Sequence, residues 1–399
     1  MNKGTEGMQE NRKRRLPLLA TSHALNHVYQ LLTPVIAPEL VREFGENGAG
    51  LFVWCFLLSY SLLPAVSGYL TQRFGRRNLL AIGFALNASC FIAIGFTNNI
   101  VALAFLFLIA GAAGSMYHPS GFPILAEAYP DNRGRTLGLH QAGGAVGSIV
   151  GPFVTGLLVV SFTWRSTMIL MAIPGLILSV VLWFSMGDQR TRADTVSERS
   201  SKISLKYLRA YGPVVLFITA ALFYVLGQRG TDAFANVYFT YGRGLEIVEA
   251  SFLFSALKVA GLFSAPICGR LSDSYGRKKV LIALVLVESV SLFAITALST
   301  MLLVIPCVTF GFAAFGLLTV GEALLADITP DKQRAAIFGL SLTINFSPYI
   351  FLIPVLFAMS SLYGFSLGFV ILSVLMLVSI PLILKIGNRP SRTLSDAAT

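Results

Sequence analysis

Residues Gly269–Lys279 read GRLSDSYGRKK between two apolar stretches, and 201 positions earlier Gly68–Asn78 read GYLTQRFGRRN in the same setting. A chain that writes one basic loop twice at a fixed spacing is built from two like halves. The offset of 200 to 201 recurs through each half: Leu125-Ala126-Glu127 with Leu325-Ala326-Asp327, Pro130-Asp131 with Pro330-Asp331, and Gly138-Leu139 with Gly339-Leu340. Between these landmarks apolar runs of roughly 20 residues, enough for an α-helix to cross a bilayer core, return about every 30 positions. Twelve are expected, at roughly 16–38, 50–71, 78–96, 99–126, 137–161, 166–186, 212–238, 250–270, 279–298, 301–325, 336–360 and 364–385. The sequence therefore predicts an all-α membrane protein of twelve transmembrane helices in two six-helix pseudo-repeat bundles. Residues 1–186 form the first bundle, 187–211 a polar linker, and 212–399 the second. Two like halves with a substrate site near the midplane where they meet is the construction of many secondary transporters.

Composition and charge agree. With 55% hydrophobic and 12% charged residues and a mean hydropathy of +0.73, the chain cannot fold as an ordinary soluble domain. The net charge of +11 does not call for nucleic acid. Threaded with the N-terminus inside, 25 of the 30 Lys and Arg fall in inward-facing segments, and Arg42, Arg165 and Arg243 fall outside. That asymmetry is the positive-inside rule, which places both termini and the 187–211 linker in the cytoplasm. Within the linker, Ser204–Arg209 has the pattern of an interfacial helix. Cys55, Cys90, Cys268 and Cys307 lie far apart in apolar spans without ligand spacing, so they read as small core residues. The long first span has no cleavage site before it, which argues against a removable signal peptide.

Twelve spans in a six-plus-six repeat, with Gly-x-x-x-Asp-x-x-Gly-Arg-Lys after the second span of a half, resemble the major facilitator superfamily along the whole chain. The resemblance implies that Asp273, with Arg277, helps to lock a cytoplasmic gate by pairing with an Arg and capping a helix N-terminus. The full gating set is Gly269, Asp273, Gly276 and Arg277, with Gly68, Gln72, Gly75 and Arg76 as its twin, where Gln72 replaces the Asp. Gly147, Gly151, Pro152 and Gly156 in the fifth span are similar to the antiporter motif of drug exporters, ending in Thr155-Gly156 rather than Gly-Gly. The bare residues also suit a close-packed helix crossing bent by Pro152. Gly111 to Pro119, Gly134-Arg135 and Gln141 to Gly144 look similar to fosmidomycin-resistance-type exporters. The Arg that many proton-coupled exporters carry in the fourth span would fall at Phe107.

An ionisable side chain at bilayer depth costs a few kcal/mol unless it faces a partner or a cavity, so each is a functional hypothesis. His23, Asn26, His27 and Gln30 occupy i, i+3, i+4 and i+7, one face of the first span. The resemblance implies that the first and seventh spans line a central cavity, and the repeat offset maps His23 to Tyr224, His27 to Gln228 and Gln30 to Thr231. A structural hydrogen-bond network is the other use of such a stripe. Counted at 1.5 Å per residue, His118 lies at the depth of His23 and His27, so the three imidazoles are expected to converge. Such a cluster suits a proton relay, substrate contact or a metal site. His140 reads as an interfacial residue near the cytoplasm. Arg229 and Asp232, three apart, either pair or serve as anion contact and protonatable group. Lys258 and Glu288 have no obvious local partner and suit a mutual or cross-helix ion pair. Glu322 suits gating or snorkelling, and Asn345 with Pro348-Tyr349 marks a kinked eleventh span.

The expected function is secondary active transport of a small organic solute by alternating access, proton-coupled and outward. His23, His27, His118 and Asp232 are the proton candidates. Asn26, Gln30, Tyr117, Tyr224, Gln228, Arg229, Lys258 and Asn345 are the substrate candidates. Beside this reading stand a proton symporter importing an organic anion or metal chelate, and a transition-metal transporter using the histidines. A membrane enzyme or receptor would need a nucleophile motif or a soluble domain, and no GxSxG, HExxH or P-loop pattern occurs. No cofactor, resident metal or nucleic-acid partner is expected. The expected partners are the solute, protons and the lipid of a bacterial or archaeal inner membrane, around a monomer.

Overall fold

In lipid every backbone N–H and C=O must be satisfied within the segment, which leaves helices as the economical way to cross. A computed structural model of the chain describes residues 3–130, 132–186, 212–329, 337–338, 340–341, 344–345 and 349–387. The linker expected at 187–211, its interfacial helix at 204–209, Asp131, Pro330-Asp331, Gly339 and Pro348 lie outside these residues. The helices are α1 Lys3–Leu62, α2 Pro64–Phe74, α3 Arg76–Phe96, α4 Ile100–Gly114, α5 Tyr117–Ala128, α6 Arg133–Ser161, α7 Trp164–Ser185, α8 Gly212–Val237, α9 Ile247–Val259, α10 Gly261–Tyr275, α11 Arg277–Ala297, α12 Val304–Ile328, α13 Tyr349–Tyr363, α14 Phe365–Leu377 and α15 Ser379–Lys385.

The fold class is the expected one, all-α with twelve helices in two bundles. Nine helical stretches among the described residues are each long and apolar enough to span. α1 with α2 carries the first two spans, which bend by 54° where α2 begins; the eleventh is described mainly through α13. The loop expected at 39–49 is helical apart from Gly45, whose φ of 70° breaks α1 into two arms. The second span breaks at Leu63 and its counterpart, the eighth, at Ala260.

By Cα packing the chain divides into two compact units, Met1–Thr195 with Ala233–Ser255, and Val196–Asp232 with Ala256–Thr399. Within the first, Asn236 near the end of α8 donates through Nδ2 to the carbonyl of its repeat-equivalent on α1, Val35, at 2.6 Å, and Tyr241 in the π-helical turn Tyr238–Gly242 that follows donates through Oη to that of Pro38 at 3.0 Å. Ser251 of α9 packs against Gly156 of α6.

The repeat is visible in contacts as well as in letters. Gly75 and Gly276 both take positive φ, 84° and 93°, at the tight break between consecutive helices, a conformation that L side chains resist. Thr71 donates to the Gly68 carbonyl at 2.6 Å, as Ser272 does to that of Gly269 at 2.8 Å. Arg76 pairs with Glu127 at 2.6 Å and Arg277 with Asp327 at 3.3 Å. Arg77 donates to the Met186 carbonyl and Lys278 to that of Ile386, at 3.2 and 2.6 Å. Gly111 lies under the Phe56 carbonyl where a Cβ would collide, and Gly311 stands so to Leu257. Lipid gives helices little hydrophobic reason to associate, so such close backbone approaches supply the van der Waals contact instead.

Candidate functional site

The most extensive packing seam in the first unit runs between α1 and α6, and glycine makes it. A Cβ on Gly143 or Gly147 would collide with the Ala20 or Ala24 carbonyl, and one on Gly151 would come 3.0 Å from Val28 Cα. Gly147 and Gly151 of the antiporter-like motif are thus the residues that let α6 lie on the first arm of α1, with Pro152 inside the same helix. Gly144 faces the seam too: a Cβ there would stand 2.6 Å from His23 Cε1.

Into that seam the fold gathers four imidazoles. His23 and His27 come from one face of α1, His118 from the start of α5 just past the break at Ser115–Met116, and His140 from α6. His27 Nε2 lies 3.1 Å from His23 Nε2. One nitrogen from each of His23, His27 and His118 falls within 4.8 Å of the others. His23 stacks on His140 with ring centroids 4.2 Å apart and meets His118 edge-on at 5.2 Å. His23 and His140 are buried, at 2% and 0% exposure, while His27 and His118 are half-buried.

Hydrogen-bond chemistry assigns the hydrogens. His23 Nδ1 faces the His140 carbonyl oxygen at 2.9 Å, and a carbonyl only accepts, so Nδ1 carries the hydrogen. Neutral His23 therefore presents a bare Nε2 to His27, whose Nε2–H donates. Tyr117 Oη donates to the Leu19 carbonyl at 2.6 Å, so its 2.8 Å contact with His140 Nε2 is donated by the imidazole. His140 Nδ1 is then a bare acceptor, buried and without a hydrogen-bond partner. The expectation of an interfacial His140 is corrected here. α6 begins at Arg133 rather than 137, and the glycine seam lays α1 over His140, whose side chain is fully buried.

The rest of the polar stripe also turns into the first bundle. Asn26 donates to Tyr60 Oη at 2.8 Å and borders a void of about 10 Å³ with Tyr29, Asn87 and Tyr117, close to the space one water needs. Gln30 is buried on the same face. Phe107, at the position of the exporters' Arg, is fully buried.

A second polar group belongs to the second unit. Lys258 of α9 forms an ion pair with Asp232 of α8, while Arg229 reaches the other oxygen of Asp232 only at 3.9 Å. Gln228 Nε2 donates to Glu288 Oε2 at 3.4 Å and to the Ala314 carbonyl at 3.5 Å. Glu288 is wholly buried, and its Oε1 has no hydrogen-bond partner among the described residues. Tyr224 is buried beside Gly321, Thr231 donates to its own helix at Gly227, and Asn345 donates to Ser341 at 3.5 Å.

At the duplicated loop, Arg277 Nη1 pairs with Asp273 at 2.5 Å while its Nε reaches Asp327. The start of α11 at Gly276 carries no side-chain cap. Gln72, in the place of the Asp, is exposed.

Comparison with known proteins gives one consistent picture. The family profile described as Major Facilitator Superfamily matches residues 22–270 and 243–398. The chain is 28% identical over 290 residues to the uncharacterized MFS-type transporter YybF of Bacillus subtilis (strain 168), covering 69% of each. It is 24% identical over 277 residues to the fosmidomycin resistance protein of Escherichia coli (strain K12), covering 67% of this chain and 66% of that protein. In fold it is similar to a bacterial homologue of the human lysosomal transporter Spinster in an inward-facing, occupied conformation, with a TM-score of 0.78 at 15% identity over 94% of this chain and 96% of the other.

Proposed function

The chain belongs to the major facilitator superfamily, and on that footing we propose that this multi-pass secondary transporter is a proton-coupled antiporter that exports a small organic compound by alternating access. The observation that carries the proposal is the 3.1 Å contact between the Nε2 atoms of His23 and His27. While both rings are neutral, one hydrogen lies on that line, donated by His27. A proton added to the Nδ1 of His27, the half-buried member, turns it into an imidazolium, and transfer of the shared hydrogen moves the charge to buried His23. Two side chains thus pass a proton inward with little movement of heavy atoms. The name of the Escherichia coli relative supports export.

The test is a proton-flux assay on purified protein in proteoliposomes under an imposed pH gradient, with a panel of drugs and organic anions. Substrate-dependent flux opposite to substrate movement is the expected result. In His27→Ala, gradient-driven accumulation falls to background while gradient-free substrate exchange persists. Equal loss of both would remove the relay and leave a binding or folding role. Import with protons is the alternative favoured by Arg229 and Lys258, two cations that share Asp232; flux in the same direction as substrate would establish it. The reading includes a monomer in a bacterial or archaeal inner membrane with both termini cytoplasmic, as the inward excess of Lys and Arg suggests.

A further inference from the structure

We propose that His23, His27 and His118 form a binding site for a divalent transition-metal ion, with three imidazole nitrogens as ligands and one coordination position open. His23 and His27 are four residues apart on one helix, the spacing by which two helical histidines grip a single metal. Their Nε2 atoms stand 3.1 Å apart, against the roughly 3.4 Å between two ligands of a tetrahedral ion held at about 2.1 Å. The third nitrogen lies within 4.8 Å of both, so a modest rotation of the half-buried His118 closes the triangle. The structure also holds the outer partner that metal-bound histidines use. His23 Nδ1 donates to the His140 carbonyl, which fixes the tautomer whose Nε2 lone pair points to the ion.

Three neutral nitrogens with an open position suit Zn²⁺, Co²⁺, Ni²⁺ or Cu²⁺ and not Mg²⁺ or Ca²⁺. The ion takes the His23 Nε2 lone pair that accepts the shared hydrogen, and His27 ligates through Nε2 once its hydrogen moves to Nδ1, so metal and protons exclude one another; the site stands independently of the transport reading, whereas this competition rests on it. Titratable groups that meet the triad from other positions include His140 on α6 and Tyr117 on α5.

Tag-free, full-length protein in lipid nanodiscs is titrated with Co²⁺ at neutral pH and read by visible ligand-field absorption. The expected result is one ion per chain with the intense bands of four-coordinate Co²⁺, displaced by Zn²⁺ and released on acidification. His118→Asn and His27→Gln keep volume and hydrogen bonding, and each is expected to weaken binding at least about tenfold. Absence of saturable binding, a weak six-coordinate spectrum, or unchanged binding in His118→Asn would overturn the site. Proton flux measured in chelator separates the two readings: coupled flux without Co²⁺ binding removes the metal site alone, and Co²⁺ binding without flux removes the relay alone.

Discussion

A methyl group on Gly144 would stand 2.6 Å from His23 Cε1 and 2.9 Å from its Nε2, so the smallest possible side chain displaces the imidazole that the relay depends on. Gly144→Ala is therefore expected to insert and fold but to lose most substrate-coupled proton flux, measured beside wild type in the same vesicles. Retention of full coupling would mean that the ring position is immaterial. In the second unit the informative residue is Asp232, whose ion pair with Lys258 compensates two part-buried charges. Asp232→Asn removes the carboxylate that Lys258 pairs with, and for a part-buried pair the loss is expected below the roughly 3–5 kcal/mol of a fully buried one. Denaturant unfolding in micelles is expected to show that loss, and Asp232→Asn with Lys258→Met to recover most of it. Local spacing favours Arg229, at i−3, as the partner of Asp232, yet the closer cation comes from another helix, which no reading of a single helix displays. The place of His140, read as interfacial, lies beyond a single helix for a similar reason. Nothing in the letters around it says that the glycines of its own helix will bring another helix onto its ring.

At the scale of elements, the seam of α1 and α6 is the joint on which the candidate site rests. Gly147→Leu places a side chain on the Ala24 carbonyl, whereas a Cβ on Gly138, earlier in the same helix, meets nothing within 4 Å. Overpacking a tight crossing costs about 1–3 kcal/mol. Thermal unfolding in detergent is expected to show a clear drop for Gly147→Leu and little change for Gly138→Leu. The letters of that motif announced close packing but not its partner, because small residues four apart state that a helix comes near and not which helix. The loop motifs were more explicit. The copies were legible as copies, while the ion pairs Arg76–Glu127 and Arg277–Asp327, which form at equivalent places in both, were not, because the letters mark Glu127 and Asp327 as repeat positions without naming their partners.

For the whole molecule, the all-α twelve-helix architecture was legible because lipid permits so few alternatives: each crossing must be long, apolar and helical, and each recurs at the repeat offset. The orientation argued from Lys and Arg is open to direct measurement. A fluorescent protein fused to the C-terminus is expected to fluoresce in cells, and alkaline phosphatase at the same place to stay inactive; the reverse pair of results would invert the topology. The four thiols carry a practical consequence. Cys55, Cys90, Cys268 and Cys307 are all free and all buried, so the native chain is a nearly silent background for maleimide and spin-label chemistry. Reporter cysteines introduced at exposed positions can then follow its conformational cycle in the wild-type sequence, without first building a cysteine-free parent whose packing would need proving anew.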